Sequence, residues 1–296
     1  MAEPVEVNAQ LLQRMPLSLP DGEVDKNTRG RVLLVGGSHQ APGAAVLSGE
    51  AALRAGAGKI QLACPRSLAL PVGIAFLEAG VYALDESSDG ESLAEPAETL
   101  LRLARESHAI LIGPGMMSAK AASALAERLL SGVENSVFIL DALALDGLWE
   151  KPELLARHEG RVVLTPHAGE MANLCHQSKE QIESDPLAVA VSAAAHCQSV
   201  VVLKGGSTYI ATPTGETFRY QDGVVGLATA GSGDVLAGLI AGLASRGAEP
   251  VQAAVWGVFL HGEAGRRLTG RHGTLGFLAR ELAPEVPKLL ETFGGP

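Results

Sequence analysis

The sequence predicts an α/β protein in which a mainly parallel sheet is covered by helices on both faces. Short apolar runs rich in β-branched residues alternate with Ala- and Leu-rich stretches of helical period. The apolar runs carry almost no polar residues, so each strand must be buried on both faces, as in parallel sheets with crossover helices. Glycine is frequent, with 35 residues, and aromatic residues make up only 4% of the chain, a composition common in layered α/β proteins.

The predicted elements follow one another in a regular order. The predicted strands are Arg31–Val35, Lys59–Cys64, His108–Ile112, Val137–Leu140, Arg161–Leu164 and Val200–Leu203. The predicted helices are Ala44–Ala55, Ala119–Leu130, Pro186–Cys197, Asp234–Ser245 and Val251–Leu268. Two more short strands, Thr208–Ala211 and Thr217–Tyr220, flank the turn sequence PTGE and predict a hairpin.

A single domain is expected over residues 30–296, because no repeat, low-complexity tract or linker divides that part of the chain. Residues 1–29 are rich in proline, glycine and charge, and they predict an N-terminal arm before the first strand. One short helix is expected in the arm, near Val7–Arg14.

Charge and cysteine content exclude several classes of protein. A net charge of -10 argues against a general nucleic-acid binder, which needs a basic face. Cys64, Cys175 and Cys197 are odd in number and widely spaced, and the histidines show no metal spacing, so we expect neither disulfides nor a metal site built from protein ligands. Without a basic, apolar leader or a membrane-length apolar run, the protein is expected in the cytoplasm, with no membrane partner.

The most informative segment is ATAGSGD, residues 228–234, which leads into an Ala- and Leu-rich helix. Its glycines allow the backbone N–H groups of Ala230, Gly231, Ser232 and Gly233 to point at one anion, and the positive end of the helix faces the same place. Asp234 in the first helical turn is a candidate base toward a hydroxyl group. The alternative is that Gly233 and Asp234 simply begin a helix.

A second candidate site for phosphate is KGGST. Lys204 directly follows an apolar strand, so it is expected at the carboxyl edge of the sheet, beside the exposed backbone of Gly205 and Gly206. The alternative is a surface lysine in a turn. The ATAGSGD turn fits a Rossmann fingerprint poorly, because no strong apolar strand precedes it and its third glycine is misplaced, and no Walker A sequence occurs.

Three further strand ends carry weaker signals. TPHAGEM, residues 165–171, presents Thr165, His167 and Glu170 just past a strand, and its His167 is a candidate for contact with a substrate. For Glu170 alone, a helix start at which it satisfies N-terminal donors is the better explanation. VLLVGGS, residues 32–38, and ILIGPGM, residues 110–116, end in glycines that allow a ligand to approach, but tight turns explain them as well.

In this order, GGS, GAA, IGPGM, LTPHAGEM, VVLKGGST and ATAGSGDVLAG resemble the ADP/ATP-dependent NAD(P)H-hydrate dehydratases of the ribokinase-like superfamily, over roughly residues 27–290. The resemblance implies a ribokinase-like fold and repair of hydrated NADH and NADPH, with Mg²⁺ as cofactor and ADP or ATP as co-substrate. It implies that Asp234 is the general base and that Ala44, Gly115, His167 and Asp234 line the hydrate site. It also implies that Lys204, Gly205, Gly206, Ser207, Thr208 and Gly233 contact the nucleotide.

The chain departs from the family pattern at Ala41, Leu143, Asp146 and Ala168, which affects the expected shape of the substrate pocket. The epimerase domain that often accompanies the family is not seen, so a separate epimerase is expected to act alongside. We also expect a homo-oligomer. A rival interpretation is a ribokinase-like kinase of a vitamin-precursor alcohol, either a thiazole or a pyrimidine. A nucleotide-sensing or scaffold protein without turnover is a further alternative.

Overall fold

A mixed sheet of ten strands lies at the centre of the described residues, which are 3–18, 29–92 and 98–294 of a computed structural model. The strands are β1 (Val5–Glu6), β2 (Arg31–Val35), β3 (Lys59–Pro65), β4 (Ala79–Leu84), β5 (Ala109–Ile112), β6 (Val137–Leu140), β7 (Val162–Leu164), β8 (Val200–Leu203), β9 (Thr208–Ala211) and β10 (Thr217–Tyr220). Their order across the sheet is β1-β10-β9-β8-β7-β6-β5-β2-β3-β4. The stretch from β8 to β4 is parallel, whereas β9 is antiparallel to both of its neighbours.

Helices cover both faces of this sheet, so the predicted fold class is confirmed. They are α1 (Ala9–Arg14), α2 (Pro42–Arg54), α3 (Arg66–Ala75), α4 (Glu98–Arg105), α5 (Ala119–Gly132), α6 (Pro152–Ala156), α7 (Ala168–Leu174), α8 (Lys179–Ser184), α9 (Pro186–Cys197), α10 (Ser232–Ser245), α11 (Pro250–His272) and α12 (Val286–Gly294). Successive side chains of β2 enter two separate cores. Val32 and Leu34 pack with α2, α10 and α11, whereas Leu33 and Val35 pack with α4, α5 and α9.

Every strand and helix predicted from the sequence is present, with ends that differ by a few residues at most. The sequence did not predict β4 or α3. Gly80 interrupts the apolar run of β4, which is a half-exposed edge strand, and α3 contains Pro71, so neither has the periodicity of a buried element.

The N-terminal residues differ from the predicted arm. Val5–Glu6 pairs in parallel with β10, and Leu11 and Leu12 of α1 are buried, so the chain joins the sheet before Arg31. The buried leucine pair explains this attachment, because an amphipathic turn is stabilised by packing its apolar side against the core. Residues 19–28 of the predicted arm lie outside the described residues. The domain boundary at residue 30 stays a prediction.

Close packing of α2 against α10 orients both helices toward one edge of the sheet. A Cβ atom on Gly238 would lie 2.2 Å from the carbonyl oxygen of Ser48, and one on Gly242 would lie 2.4 Å from that of Ala52. Ser48 of α2 faces Gly238 of α10, and Ala52, one turn later, faces Gly242, also one turn later. The two helices therefore run in the same direction. Their N-termini therefore lie side by side, over the carboxyl ends of the central strands.

Candidate active site

Five neighbouring parallel strands, β8, β7, β6, β5 and β2, end at the edge where the N-termini of α2 and α10 lie. The turns that follow these strands contain Lys204, Thr165, Asp141, Gly113 and Gly36 in that order. Ligands of open α/β sheets bind outside the carboxyl ends of the strands. The candidate residues of the sequence analysis are thus assembled at the position where such a site is expected.

The turn before α10 presents backbone N–H groups toward this edge. Gly231 is the N-cap with a φ of 88°, and no side chain caps the helix. A Cβ atom at Gly231 would lie 2.6 Å from Leu47 Cδ1, so this position requires glycine for both its φ and its space. The Ser232 N–H already donates to Thr229 O at 3.2 Å, which engages one of the four amides of the predicted anion hole.

Lys204 reaches the start of α10 from the end of β8. Its Nζ lies 3.3 Å from the position that a Cβ atom on Gly233 would take, so the two predicted phosphate-binding segments converge. Lys204 Nζ donates to Asp141 Oδ1 at 2.9 Å and lies 3.8 Å from Glu170 Oε2. The backbone N–H of Lys204 donates to the backbone oxygen of Pro166 at 2.8 Å, and this hydrogen bond fixes the turn after β8 against the turn after β7.

A cavity of about 700 Å³ opens beside Lys204 and Gly233, a volume typical of sites for drug-sized ligands. Its polar end is formed by Lys204, Gly205, Gly206 and Thr208 together with Ser232 and Gly233. Its apolar wall is formed by Tyr220, Val224, Val225, Leu227, Leu236 and Val258. Ser207 lines a separate, smaller cavity of about 260 Å³ on the other side of the same turn. This combination of a polar end and an apolar wall suits a phosphate group joined to a planar base.

The two small residues assigned to the hydrate site lie together. The Cβ atom of Ala44 is 2.9 Å from the position that a Cβ on Gly115 would take, and Gly115 has a φ of 72°. Neither residue lines the 700 Å³ cavity. Asp234 is close to the Gly231 turn and to Lys204: its Oδ2 lies 4.0 Å from the position of a Cβ on Gly231, which Leu47 of α2 also contacts, and the Lys204 charge acts on its carboxyl.

His167 caps a helix as well as lining the large cavity. Its Nδ1 accepts hydrogen bonds from the N–H groups of Gly169 (3.0 Å) and Glu170 (3.2 Å), and Glu170 Oε2 accepts one from the His167 N–H at 2.8 Å. Glu170 therefore has the capping role that the sequence left open. With Nδ1 accepting, the neutral imidazole carries its proton on Nε2, which lies 3.4 Å from Glu170 Oε1.

Burial, together with the negative charges of Asp141 and Glu170, raises the pKa of Asp234 to about 7, against the lowering effect of the Lys204 ammonium. A carboxyl with this pKa is about half ionised at neutral pH. It can therefore accept a proton from a substrate and release it again, as a general base must.

Two residues of the site were missed by the sequence analysis. Asp141, only 3% exposed, accepts hydrogen bonds from Thr165 Oγ1 at 2.7 Å and from Lys204. His261 of α11 lines the cavity, with Nε2 2.9 Å from Ser232 Oγ, and desolvation lowers its pKa to about 4. Asp141 directly follows β6, as Lys204 directly follows β8. This position after a buried strand is the sequence signal that could have revealed Asp141. His261 has no such signal, because it lies in the middle of a long helix.

Among the described residues, no group of three or more His, Cys, Asp or Glu side chains is arranged to hold a metal ion. The Lys204 ammonium stands beside the carboxylates of Asp141 and Glu170, so these groups already have a cation. Such a site fits Mg²⁺ that is bound chiefly by nucleotide phosphates and water, which is the usual way Mg²⁺ enters phosphoryl-transfer sites. No helix in the described ranges is both long and apolar enough to cross a membrane.

The fold defines a ribokinase-like α/β protein. Residues 32–288 match the family model described as NAD(P)H-hydrate dehydratase. The chain belongs to the NAD(P)H-hydrate dehydratase family.

Individual relatives agree with this assignment. The chain is 46% identical over 285 residues to the ADP-dependent (S)-NAD(P)H-hydrate dehydratase of Xanthomonas campestris pv. campestris, covering 96% of both proteins. It is 38% identical over 265 residues to the bifunctional NAD(P)H-hydrate repair enzyme Nnr of Moorella thermoacetica, covering 90% of this chain and 50% of that protein. Among solved structures, the ADP/ATP-dependent NAD(P)H-hydrate dehydratase from Bacillus subtilis, co-crystallised with ATP/Mg²⁺, has a TM-score of 0.78 and 28% identity, with 98% of each chain covered.

If Lys204 and Gly233 build one nucleotide site, Gly233→Val and Lys204→Met should lose most of the thermal stabilisation that ADP or ATP gives the parent protein. The valine side chain would occupy the approach to the α10 amides, and methionine keeps the apolar stem of Lys204 without its charge. A ligand at 100 times its Kd stabilises a protein by about 2.7 kcal/mol, a shift that thermal denaturation resolves. Gly270→Val is the matched control, because nothing lies within 4 Å of a Cβ at that exposed helical position. Full stabilisation of both site variants by nucleotide would place the site elsewhere.

His167→Ala and His167→Asn separate the capping role from contact with the hydrate. Alanine removes both, and loss of an N-cap costs about 1 kcal/mol of stability. Asparagine is a good N-cap but lacks the imidazole Nε2, so it should restore the thermal stability and leave hydrate affinity weakened. Calorimetric titration with hydrated NADH and with ADP checks this, and hydrate binding should weaken more than nucleotide binding. Recovery of hydrate affinity in the asparagine variant would leave His167 a capping residue only.

Proposed function

We propose that the protein uses ADP or ATP to dehydrate the S-form of hydrated NADH and NADPH, which restores the reduced nucleotides. The names of its relatives from X. campestris and B. subtilis support this activity. The observation that carries the proposal within this chain is the position of Asp234. Its Oδ2 lies 4.0 Å from the position of a Cβ on Gly231, beside Leu47 of α2, the Lys204 charge acts on its carboxyl, and its pKa is about 7.

In the proposed reaction, Asp234 accepts the proton of the hydroxyl on the hydrated nicotinamide ring. The hydroxyl oxygen attacks the terminal phosphorus of the nucleotide, and the bond from that phosphorus to its bridging oxygen breaks. AMP leaves when ADP is used, or ADP when ATP is used. The bond from the ring carbon to the ester oxygen then breaks, so that inorganic phosphate leaves with the bonding electrons, and loss of a proton from the neighbouring carbon forms the double bond. Phosphate is a far better leaving group than hydroxide, which explains the need for a nucleotide.

The remaining residues stabilise negative charge on the transferred group. The backbone N–H groups at the start of α10 and the Lys204 ammonium face the position of the terminal phosphate. Mg²⁺ bound to the nucleotide would neutralise further charge on the phosphates. We propose that Gly205, Gly206, Ser207 and Thr208 hold the rest of the nucleotide, and that Ala44, Gly115 and His167 contact the hydrate.

We further propose a partner enzyme, an oligomeric state and a location for the protein. A separate epimerase would convert the other hydrate epimer to the S-form, in keeping with the bifunctional repair enzyme of which this chain spans half. Assembly as a homo-oligomer and a location in the cytoplasm are expectations from the sequence.

The proposed function is tested by mixing the purified protein with hydrated NADH and, in turn, ADP, ATP or no nucleotide. We expect recovery of reduced-nicotinamide absorbance only with nucleotide, with one inorganic phosphate released for each molecule recovered. A kinase of a vitamin-precursor alcohol would instead leave a stable phosphate ester and no recovered absorbance. Thiazole and pyrimidine alcohols offered in parallel would show that outcome directly.

Asp234→Asn should keep the fold and most nucleotide binding but lower turnover by about 10²–10⁴-fold, because an amide does not accept the hydroxyl proton. In the parent, activity should fall about tenfold per pH unit below pH 7, because Asp234 becomes protonated there and a protonated carboxyl is not a base. Nucleotide-dependent thermal shifts verify that the variant still binds. Near-normal turnover in Asp234→Asn would remove this residue from the mechanism.

A further inference from the structure

Asp141 lies at the end of β6, behind Lys204, and is nearly enclosed by protein. A buried carboxylate needs charged and hydrogen-bonding partners, because withdrawing it from water is costly. Asp141 has both on a single oxygen, Oδ1, which accepts from the fully buried Thr165 hydroxyl at 2.7 Å and from Lys204 Nζ at 2.9 Å. The orientation of Asp141 is therefore set by β7, and that of the Lys204 ammonium by Asp141.

Three carboxylates lie near the Lys204 ammonium. Asp141 follows β6, Glu170 belongs to α7 and Asp234 belongs to α10, and all three contribute to the raised pKa of Lys204. Its ion pairs are with Asp141 at 2.9 Å and Glu170 at 3.8 Å, and Asp234 is not among its ion-pair partners in the described part of the chain. Asp234, the proposed base, is thus the carboxylate with which Lys204 forms no ion pair.

The carboxylate with which Lys204 pairs affects the proposed reaction. A direct pair between Lys204 and Asp234 would stabilise the ionised carboxylate and make it a weaker base, since an opposite charge in contact favours the charged form. It would also turn the ammonium away from the phosphate. Either change would slow the transfer proposed above.

We propose that Asp141, oriented by Thr165, is a positioning residue that holds the Lys204 ammonium away from Asp234, so that Lys204 faces the nucleotide and Asp234 remains free to act as the base. The proposal rests on the proposed function only for the role of Asp234, and its structural content can be measured without turnover.

The charged groups around Asp234 show which effects must be separated. Asp141 and Glu170 raise the pKa of Asp234 and Lys204 lowers it. His167 faces the same space from the start of α7, and His261 packs against Ser232 from α11 with its pKa lowered to about 4, so it is neutral near pH 7. A substitution that removes a charge near Asp234 changes its pKa by a direct field effect. Only a substitution that leaves every charge in place can reveal repositioning of Lys204.

Thr165→Val is that substitution, because it removes the hydroxyl that orients Asp141 and keeps both the size of the side chain and all charges. The pKa of Asp234 is read from the infrared band of its protonated carboxyl, assigned by the loss of that band in Asp234→Asn, with no substrate present. We expect Thr165→Val to lower this pKa by about half a unit to one unit, as Lys204 swings toward Asp234. In a Lys204→Met background the same substitution should leave the pKa unchanged.

Asp141→Asn and Glu170→Gln are the matched pair that removes one negative charge each. Asp141→Asn should lower the pKa of Asp234 by at least twice as much as Glu170→Gln, because it both removes repulsion and frees Lys204. Gln is compatible with the capping box of Glu170, so the control keeps its helix start. Nucleotide KM should rise at least fivefold in Thr165→Val and stay near the parent value in Glu170→Gln.

Three results would overturn the proposal. An unmoved pKa of Asp234 in folded Thr165→Val would show that Asp141 does not control Lys204. An equal shift in the parent and Lys204→Met backgrounds would show that the effect does not pass through Lys204. A raised Mg²⁺ requirement with an unmoved pKa would assign Asp141 to the metal and equally exclude the positioning role. If instead Asp234→Asn keeps turnover while Thr165→Val shifts the pKa as expected, the proposed mechanism fails and the positioning role stands.

Discussion

The backbone contact between α2 and α10 is the constraint on which the site depends. At Gly238 and Gly242 a single added carbon would collide with the carbonyl oxygens of Ser48 and Ala52, so no other residue allows the helices this close. The contact brings two helix N-termini to one edge of the sheet, and it places Leu47 against Gly231. The surface around Ala44 and the turn before α10 are therefore positioned by packing inside the core, several residues away from the chemistry.

The charges at this edge set a second requirement. Asp141, Glu170 and Asp234 surround the Lys204 ammonium, so these side chains together carry a net negative charge, even when Asp234 is protonated, and on their own disfavour an anionic nucleotide. The positive potential must come from the N–H groups at the start of α10 and from Mg²⁺ bound to the nucleotide. Arrival of that positive charge would in turn favour the ionised form of Asp234, which links nucleotide binding to activation of the base.

The elements that the sequence predicted are those whose physical cause is local. β2 after Arg31, and all of β5, β6 and β8, are apolar because they are buried on both faces, and that pattern is visible in the residues themselves. Lys204 and Gly233 were expected to converge because parallel strands end at one edge, and the geometry agrees. The apolar pattern is missing from β4 because this strand is exposed at the sheet edge. Nothing in the sequence pattern indicated His261, because its partner, Ser232, is 29 residues away on another helix. The pairing of Asp141 with Lys204 spans 63 residues and depends on the sheet order, which the sequence pattern does not specify.

Glu170 and Asp234 show why a motif at a helix start has to be tested against geometry. Each is the third residue of its helix, where an acidic side chain commonly satisfies N-terminal donors. Glu170 does so, because it accepts the His167 N–H in a capping box. Asp234 does not, since the N-cap before it is Gly231 and no side chain caps α10. A capping carboxylate is stabilised in its ionised form by the helix N-terminus, which lowers its pKa, whereas the pKa of Asp234 is raised to about 7. The interpretation that Asp234 simply begins a helix therefore predicts the wrong direction of the shift, and a carboxyl kept available for a proton is what the position supports.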